Sequence, residues 1–176
     1  MRASPRSEAG FLTIELMAAV FIIVISLLAL MAAYDQSFFS IHSSAKTSAA
    51  GQLANNQLEL YASLPYSSIG LDSTTLTSTK NTDANYGADE SALPGTGTDV
   101  TISGCGSSAQ CSPVQTLTGS DGKSCYKLET FIRSLTNNSA TSWTEKVVTI
   151  IVRDLCTTGF PKVLTIQTAF DHGPSS

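Results

Sequence analysis

Between Phe11 and Tyr34 the chain runs for twenty-four residues with a single charged side chain, Glu15. As a helix rising ~1.5 Å per residue, this run spans ~36 Å, enough to cross a hydrocarbon core of ~30 Å. A cleaved secretory signal would have an apolar region of about 7–15 residues followed by small residues at the cut. This run is longer, and Ala32-Ala33 follow Met31. A plain membrane anchor accounts for the length but not for Glu15, because an acidic residue costs roughly 2.5–3.5 kcal/mol at a helix centre and less near an end. Something must compensate for it. Arg2 and Arg6 precede the run, and the next basic residue is Lys46. The positive-inside rule therefore places the N-terminus in the cytoplasm and the C-terminal bulk outside, as a single-pass membrane protein.

The start of the run supplies a compensating group. Gly10-Phe11-Leu12-Thr13-Ile14-Glu15-Leu16 resembles the prepilin motif of type IV pilin-like proteins, with Leu12-Thr13 in the reverse of the more frequent order. The resemblance implies that a prepilin peptidase cuts after Gly10 and that Phe11 becomes the methylated N-terminus. The apolar helix is then retained, and Glu15 is the fifth mature residue. Glu15 then has a partner: the Phe11 amine four residues earlier, or the amine of a neighbouring subunit in a helix bundle of low dielectric. Many major pilins also carry a proline near the position of Ala32. This chain has no Pro or Gly from Phe11 to Ala50, a pattern closer to a minor pilin or a pseudopilin.

The helical signal continues past the membrane-length run. Phe38, Ile41, Ala45, Ala49, Leu53, Leu60 and Leu64 recur at helical spacing, with a polar gap near Gln57. This stripe is expected to pack on a globular head. Pro65 should end the helix, so one helix is expected over residues 11–64, with a break between Tyr34 and Ser40 as the alternative. The segment Gln57-Leu58-Glu59-Leu60-Tyr61-Ala62-Ser63-Leu64-Pro65-Tyr66 is similar to the helix end of minor pilins of the pilus-modification type.

Residues 67–123 are rich in Ser, Thr, Gly, Asn and Asp and read as loops with one or two short strands, Thr98–Ser103 being a candidate. Recognition is assigned to this exposed stretch. Asp83, Asn85, Asp89 and Glu90 cluster acidic and amide groups, but their spacing matches no EF-hand loop, so a solvated acidic loop is expected and no metal. From Cys125 onward the pattern changes to strands at Cys125–Arg133, Lys146–Arg153 and Lys162–Phe170, with turn signals at Asn137-Asn138-Ser139 and Thr157-Thr158-Gly159. Short connections make these an antiparallel meander.

All four cysteines, Cys105, Cys111, Cys125 and Cys156, follow the apolar run, as expected for two disulfides in an oxidising compartment. Sequence alone allows three connectivities. A hairpin centred near Asn138–Ala140 places Cys125 opposite Asp154–Cys156, which favours Cys125–Cys156 with Cys105–Cys111 as the second bridge. Asn137-Asn138-Ser139 also matches a glycosylation sequon, but is read as a turn.

The expected fold class is therefore α+β and type IV pilin-like: a long N-terminal helix packed on a small antiparallel sheet of about three or four strands, with a long polar loop region. Its parts are a leader (1–10), a membrane and assembly helix (11–34), an amphipathic stalk (35–65), a variable loop region (66–123), a three-stranded sheet (124–171) and a tail (172–176). An enzyme is not expected: His42 and His172 lie far apart, and no phosphate loop or dinucleotide fingerprint is present. No cofactor is expected. The net charge of −4 and the presence of only Lys80 and Lys123 as basic residues in 67–123 argue against a nucleic-acid partner. The function implied by the resemblance is a structural subunit of a pilus-like filament. The alternatives are a type II secretion pseudopilin and an adhesive or DNA-capture pilin of a competence system. The implied partners are the prepilin peptidase, other pilin subunits, an inner-membrane assembly platform and, before assembly, membrane lipid. After assembly the implied location is an extracellular or cell-surface filament.

Overall fold

The computed structural model describes residues 9–94, 97–105, 108–118, 122, 125–136 and 144–171. The fold is α+β. It consists of a long N-terminal helix, a five-stranded antiparallel sheet and a small parallel sheet, consistent with the expected pilin-like arrangement. The leader residues 1–8, the Asn137-Asn138-Ser139 turn, Lys123 and the tail from His172 lie outside the described residues. The chain divides into two compact units, Met1–Ala45 and Lys46–Ser176.

Helix α1 runs from Ala9 to Ala62 without interruption, as the absence of Pro and Gly over residues 11–50 dictates, so the alternative break near Tyr34 does not occur. Gly51 is accommodated within it, and the helix stops three residues short of Pro65. Within the first unit every described side chain from Thr13 onward is exposed. Successive residues Phe21-Ile22-Ile23-Val24-Ile25 place apolar groups around the whole circumference, the pattern of a helix meant for an apolar surrounding.

The second unit holds the head. Strands β5 (Tyr126–Thr136), β6 (Thr144–Asp154) and β7 (Lys162–Asp171) form the expected meander. Two further strands extend the sheet. β4 (Val114–Leu117) and β2 (Thr98–Asp99) lie in tandem along the outer side of β5. The candidate strand at Thr98–Ser103 divides at Val100, which donates its N–H to Ile132 O at 2.9 Å and accepts from Leu71 N at 3.0 Å. The chain beyond it, β3 (Thr101–Ile102), therefore pairs in parallel with β1 (Leu71–Asp72) instead of continuing in the large sheet. Gly97 permits the approach of β2 to β5, because a Cβ there would meet Ser134 O at 2.8 Å.

The polar middle differs from the loops expected. It contains helices α2 (Ser73–Thr82) and α3 (Ala84–Ala92). Each is started by an aspartate: Asp72 accepts from Thr74 N and Thr75 N, and Asp83 from Asn85 N and Tyr86 N. These caps satisfy amides that would otherwise lack partners and compensate for the low helix propensity of Ser and Thr.

Helix residues 46–62 cover one face of the sheet and α3 covers the other. On the first face Lys46 reaches Asp154, and Leu128, Ile132, Val148, Ile150 and Val152 are buried. The packing stripe of α1 is Ala50, Ala54, Gln57 and Tyr61, flanked by Ala49, with Leu53 and Leu64 partly buried. The expected stripe was thus partly misplaced: Phe38 and Ile41 are exposed, and the supposed polar gap at Gln57 is a buried contact. On the second face Tyr86 stacks on Phe131 with ring centroids 4.3 Å apart and donates its hydroxyl to Thr130 O at 2.8 Å.

Candidate functional site

The N-terminal candidates share one helix. The backbone of Gly10 and Phe11 is already helical, and Glu15 follows Phe11 by four residues, about one turn. Glu15 is exposed and has no ion pair among the described residues. One helix among the described residues is long and apolar enough to cross a membrane, with a mean hydropathy of 2.9 over its most apolar window. No basic residue lies between Phe11 and Tyr34, so that run itself holds no cation to neutralise Glu15.

In the head, the disulfides are Cys125–Cys156, the pair favoured by the hairpin register, and Cys105–Cys111, the pair that remains. Cys125–Cys156 has Cα atoms 5.0 Å apart, and Cys105–Cys111 has them 6.1 Å apart. The first ties β5 to the turn after β6, where Leu155 N donates to Cys125 O. That turn is organised by Asp154. Its carboxylate accepts from Cys156 N at 2.8 Å, Thr157 Oγ1 at 2.7 Å and Lys46 Nζ at 2.7 Å. The second disulfide closes a loop that Gln57 and Gln115 hold by donating their amides to Ala109 O, each at 2.8 Å. Beside this loop lies an open groove of about 520 Å³ lined by Leu64, Ser67, Ser68, Ile102, Ser103 and Gln110, among others. Its described lining has no charged side chain, a chemistry suited to neutral polar groups.

The acidic cluster read as a solvated loop is instead part of a largely buried charge network. Arg153 on β6 donates through Nη2 to Asp89 at 2.5 Å and through Nε to Glu129 at 3.1 Å. Lys127 bridges Glu129 at 2.7 Å and also pairs with Asp83, while Lys162 reaches Asp89 at 2.7 Å. Three carboxylates thus meet three cations, and the set is formally neutral. Glu90 pairs with Lys80 at 2.5 Å. Among the described residues no group of three or more His, Cys, Asp or Glu is placed to hold a metal ion.

Register explains how the network assembles. Lys127 lies opposite Arg153, and Arg153 opposite Lys162. A bulge between Val152 and Arg153 leaves Val163 as an extra residue in β7. Because side chains alternate along a strand, this one-residue shift turns Lys162 to the Asp89 face. Burial raises the Glu129 pKa, and the bonds and charges of Lys127 and Arg153 offset only part of that. For Asp89, burial acts in the same upward direction, but the hydrogen bonds from Lys162 and Arg153 outweigh it and hold the carboxyl below its ordinary value. Asp83 is likewise lowered, with burial opposed by Lys127 and the amides of Tyr86 and Asn85.

The strand alternation that showed Lys127, Glu129 and Arg133 on one face normally marks a solvated surface. The missed signals were the two aspartate caps, which announce helices able to cover that face. No family model, curated protein or solved structure matches this chain.

Proposed function

We propose that the chain is a type IV pilin-like subunit, cleaved after Gly10 by a prepilin peptidase and built into a filament by packing of α1. The observation that carries this reading is Glu15. It is a lone carboxylate one helical turn from Phe11, in a run to Tyr34 that is apolar on all sides and whose described side chains are all exposed. In a bundle, Glu15 neutralises the N-terminal amine of an adjacent subunit and so sets the register at which subunits stack, because an unpaired charge in low dielectric is strongly disfavoured. The helix stores the subunit in the membrane before assembly, and the disulfide-bonded head stays outside. Recognition by the filament then falls to the head surface around the Cys105–Cys111 loop.

The unbroken helix favours a minor subunit over the main structural one, with a type II secretion pseudopilin as the second reading. Two measurements test the proposal. Intact mass of the membrane-derived protein should correspond to a chain beginning at Phe11 with a methyl group added. Glu15→Leu should be inserted and cleaved as the wild type is, yet be absent from sheared filaments. Normal recovery of Glu15→Leu in the filament fraction would sink the assembly role, and an intact leader would sink the processing.

A further inference from the structure

We propose that the head has a second interaction surface, the free edge of β7, which pairs antiparallel with β7 of a second copy about a two-fold axis at Gln167. The opposite side of the meander is covered by β4 and β2, whereas among the described residues β7 has a neighbour on one side only. The hydrogen-bond phase identifies the groups it leaves open. Leu155 N donates to Cys125 O, and Asp154 N donates to Pro161 O. Odd-numbered β6 residues therefore bond β5 and even-numbered ones bond β7. Across the β6–β7 register, Leu164, Ile166, Thr168 and Phe170 turn their backbone groups inward. Thr165, Gln167 and Ala169 turn theirs to the open edge.

Edges left this way are usually protected by a charge, a proline, a bulge or a cover. From Val163 to Phe170 the sequence Val-Leu-Thr-Ile-Gln-Thr-Ala-Phe has neither charge nor proline, and the bulge lies at the Lys162 end. A second copy fits this edge better than an arbitrary strand for two reasons. With Gln167 opposite itself, Thr165 meets the second copy's Ala169, and half-buried Leu164 meets its Phe170, so the open backbone groups and the apolar row are matched together. The ends also carry complementary charge. Glu145 and Asp171 lie directly opposite each other on β6 and β7, an unfavourable like-charge pair with no cationic partner among the described residues. The pairing brings Lys162, whose side chain is 44% exposed, next to the second copy's Asp171 on the same face. This contact is independent of Glu15 and of the filament reading.

Cysteine crosslinking of the full chain in detergent tests the register, because all four native cysteines are paired. Gln167→Cys should oxidise to a disulfide-linked dimer, since directly opposed residues lie ~5.5 Å apart at Cα. Thr165→Cys and Ala169→Cys should each remain monomeric alone, because each is then ~13 Å from its own copy. Mixed together, those two variants should form a heterodimer. Equal crosslinking by all three single variants, as collision through the membrane helices would give, overturns the proposal. So does no crosslinking of Gln167→Cys in protein that retains both native disulfides, which would leave the edge to a strand from another protein.

Discussion

Arg153 and Asp89 join the central strand to helix α3 through a 2.5 Å contact, both side chains almost wholly removed from solvent. On the other side of the same guanidinium lies Glu129, which is fully buried. The helix covers the sheet here by closing a neutral set of charges as well as by packing Tyr86 on Phe131. The arrangement resists substitution of one member more than it adds net stability, because removing one partner strands a buried charge.

Asp89→Ala should accordingly destabilise the protein by about 3–5 kcal/mol. It leaves Arg153 and Lys162 without their shared carboxylate. Chemical denaturation followed by tryptophan fluorescence or circular dichroism measures this. A loss below about 1 kcal/mol, the range of exposed pairs, would show that the network is hydrated.

The Asp154 carboxyl ties Lys46 of the helix to the turn after β6. Burial acts to raise its pKa, but the bonds from Lys46, Thr157 and the Cys156 amide outweigh this and lower it. A carboxyl lowered on folding contributes stability that is present above its unfolded pKa of ~3.9 and is lost as pH falls through the folded value. Unfolding free energy measured from pH 6 to pH 2.5 should therefore fall below about pH 4, and Asp154→Asn should make that fall shallower. An unchanged acid slope in Asp154→Asn would remove Asp154 from the account.

The two disulfides should differ in worth. Their sequence separations are 31 and 6 residues, and chain entropy assigns ~4 kcal/mol to the longer loop and ~2 kcal/mol to the shorter. Replacing Cys125 and Cys156 together by Ser should lower the melting temperature more than replacing Cys105 and Cys111. Equal losses, or the reverse order, would contradict this ranking.

Much of the fold is carried by local pattern. Absence of Pro and Gly over residues 11–50 dictates an unbroken helix, since nothing in that stretch interrupts the hydrogen-bond ladder. The β-branched alternation after Cys125 specifies three strands, and the hairpin centre places Cys125 beside Cys156. That Phe11 and Glu15 lie one turn apart on a single helix was legible for the same reason, because that separation is set by helical spacing alone. The other relationships arise between segments distant in the chain. Gln57 looked like a gap in an apolar stripe because its partner, Ala109 O, is 52 residues away. Asp83 and Asp89 looked solvated because Lys127, Arg153 and Lys162 come from three different strands. A charged side chain reads as exposed until its counter-charges are brought to it, and only the tertiary structure decides whether that happens. Here the helices capped by Asp72 and Asp83 and the one-residue bulge at Val163 bring them together.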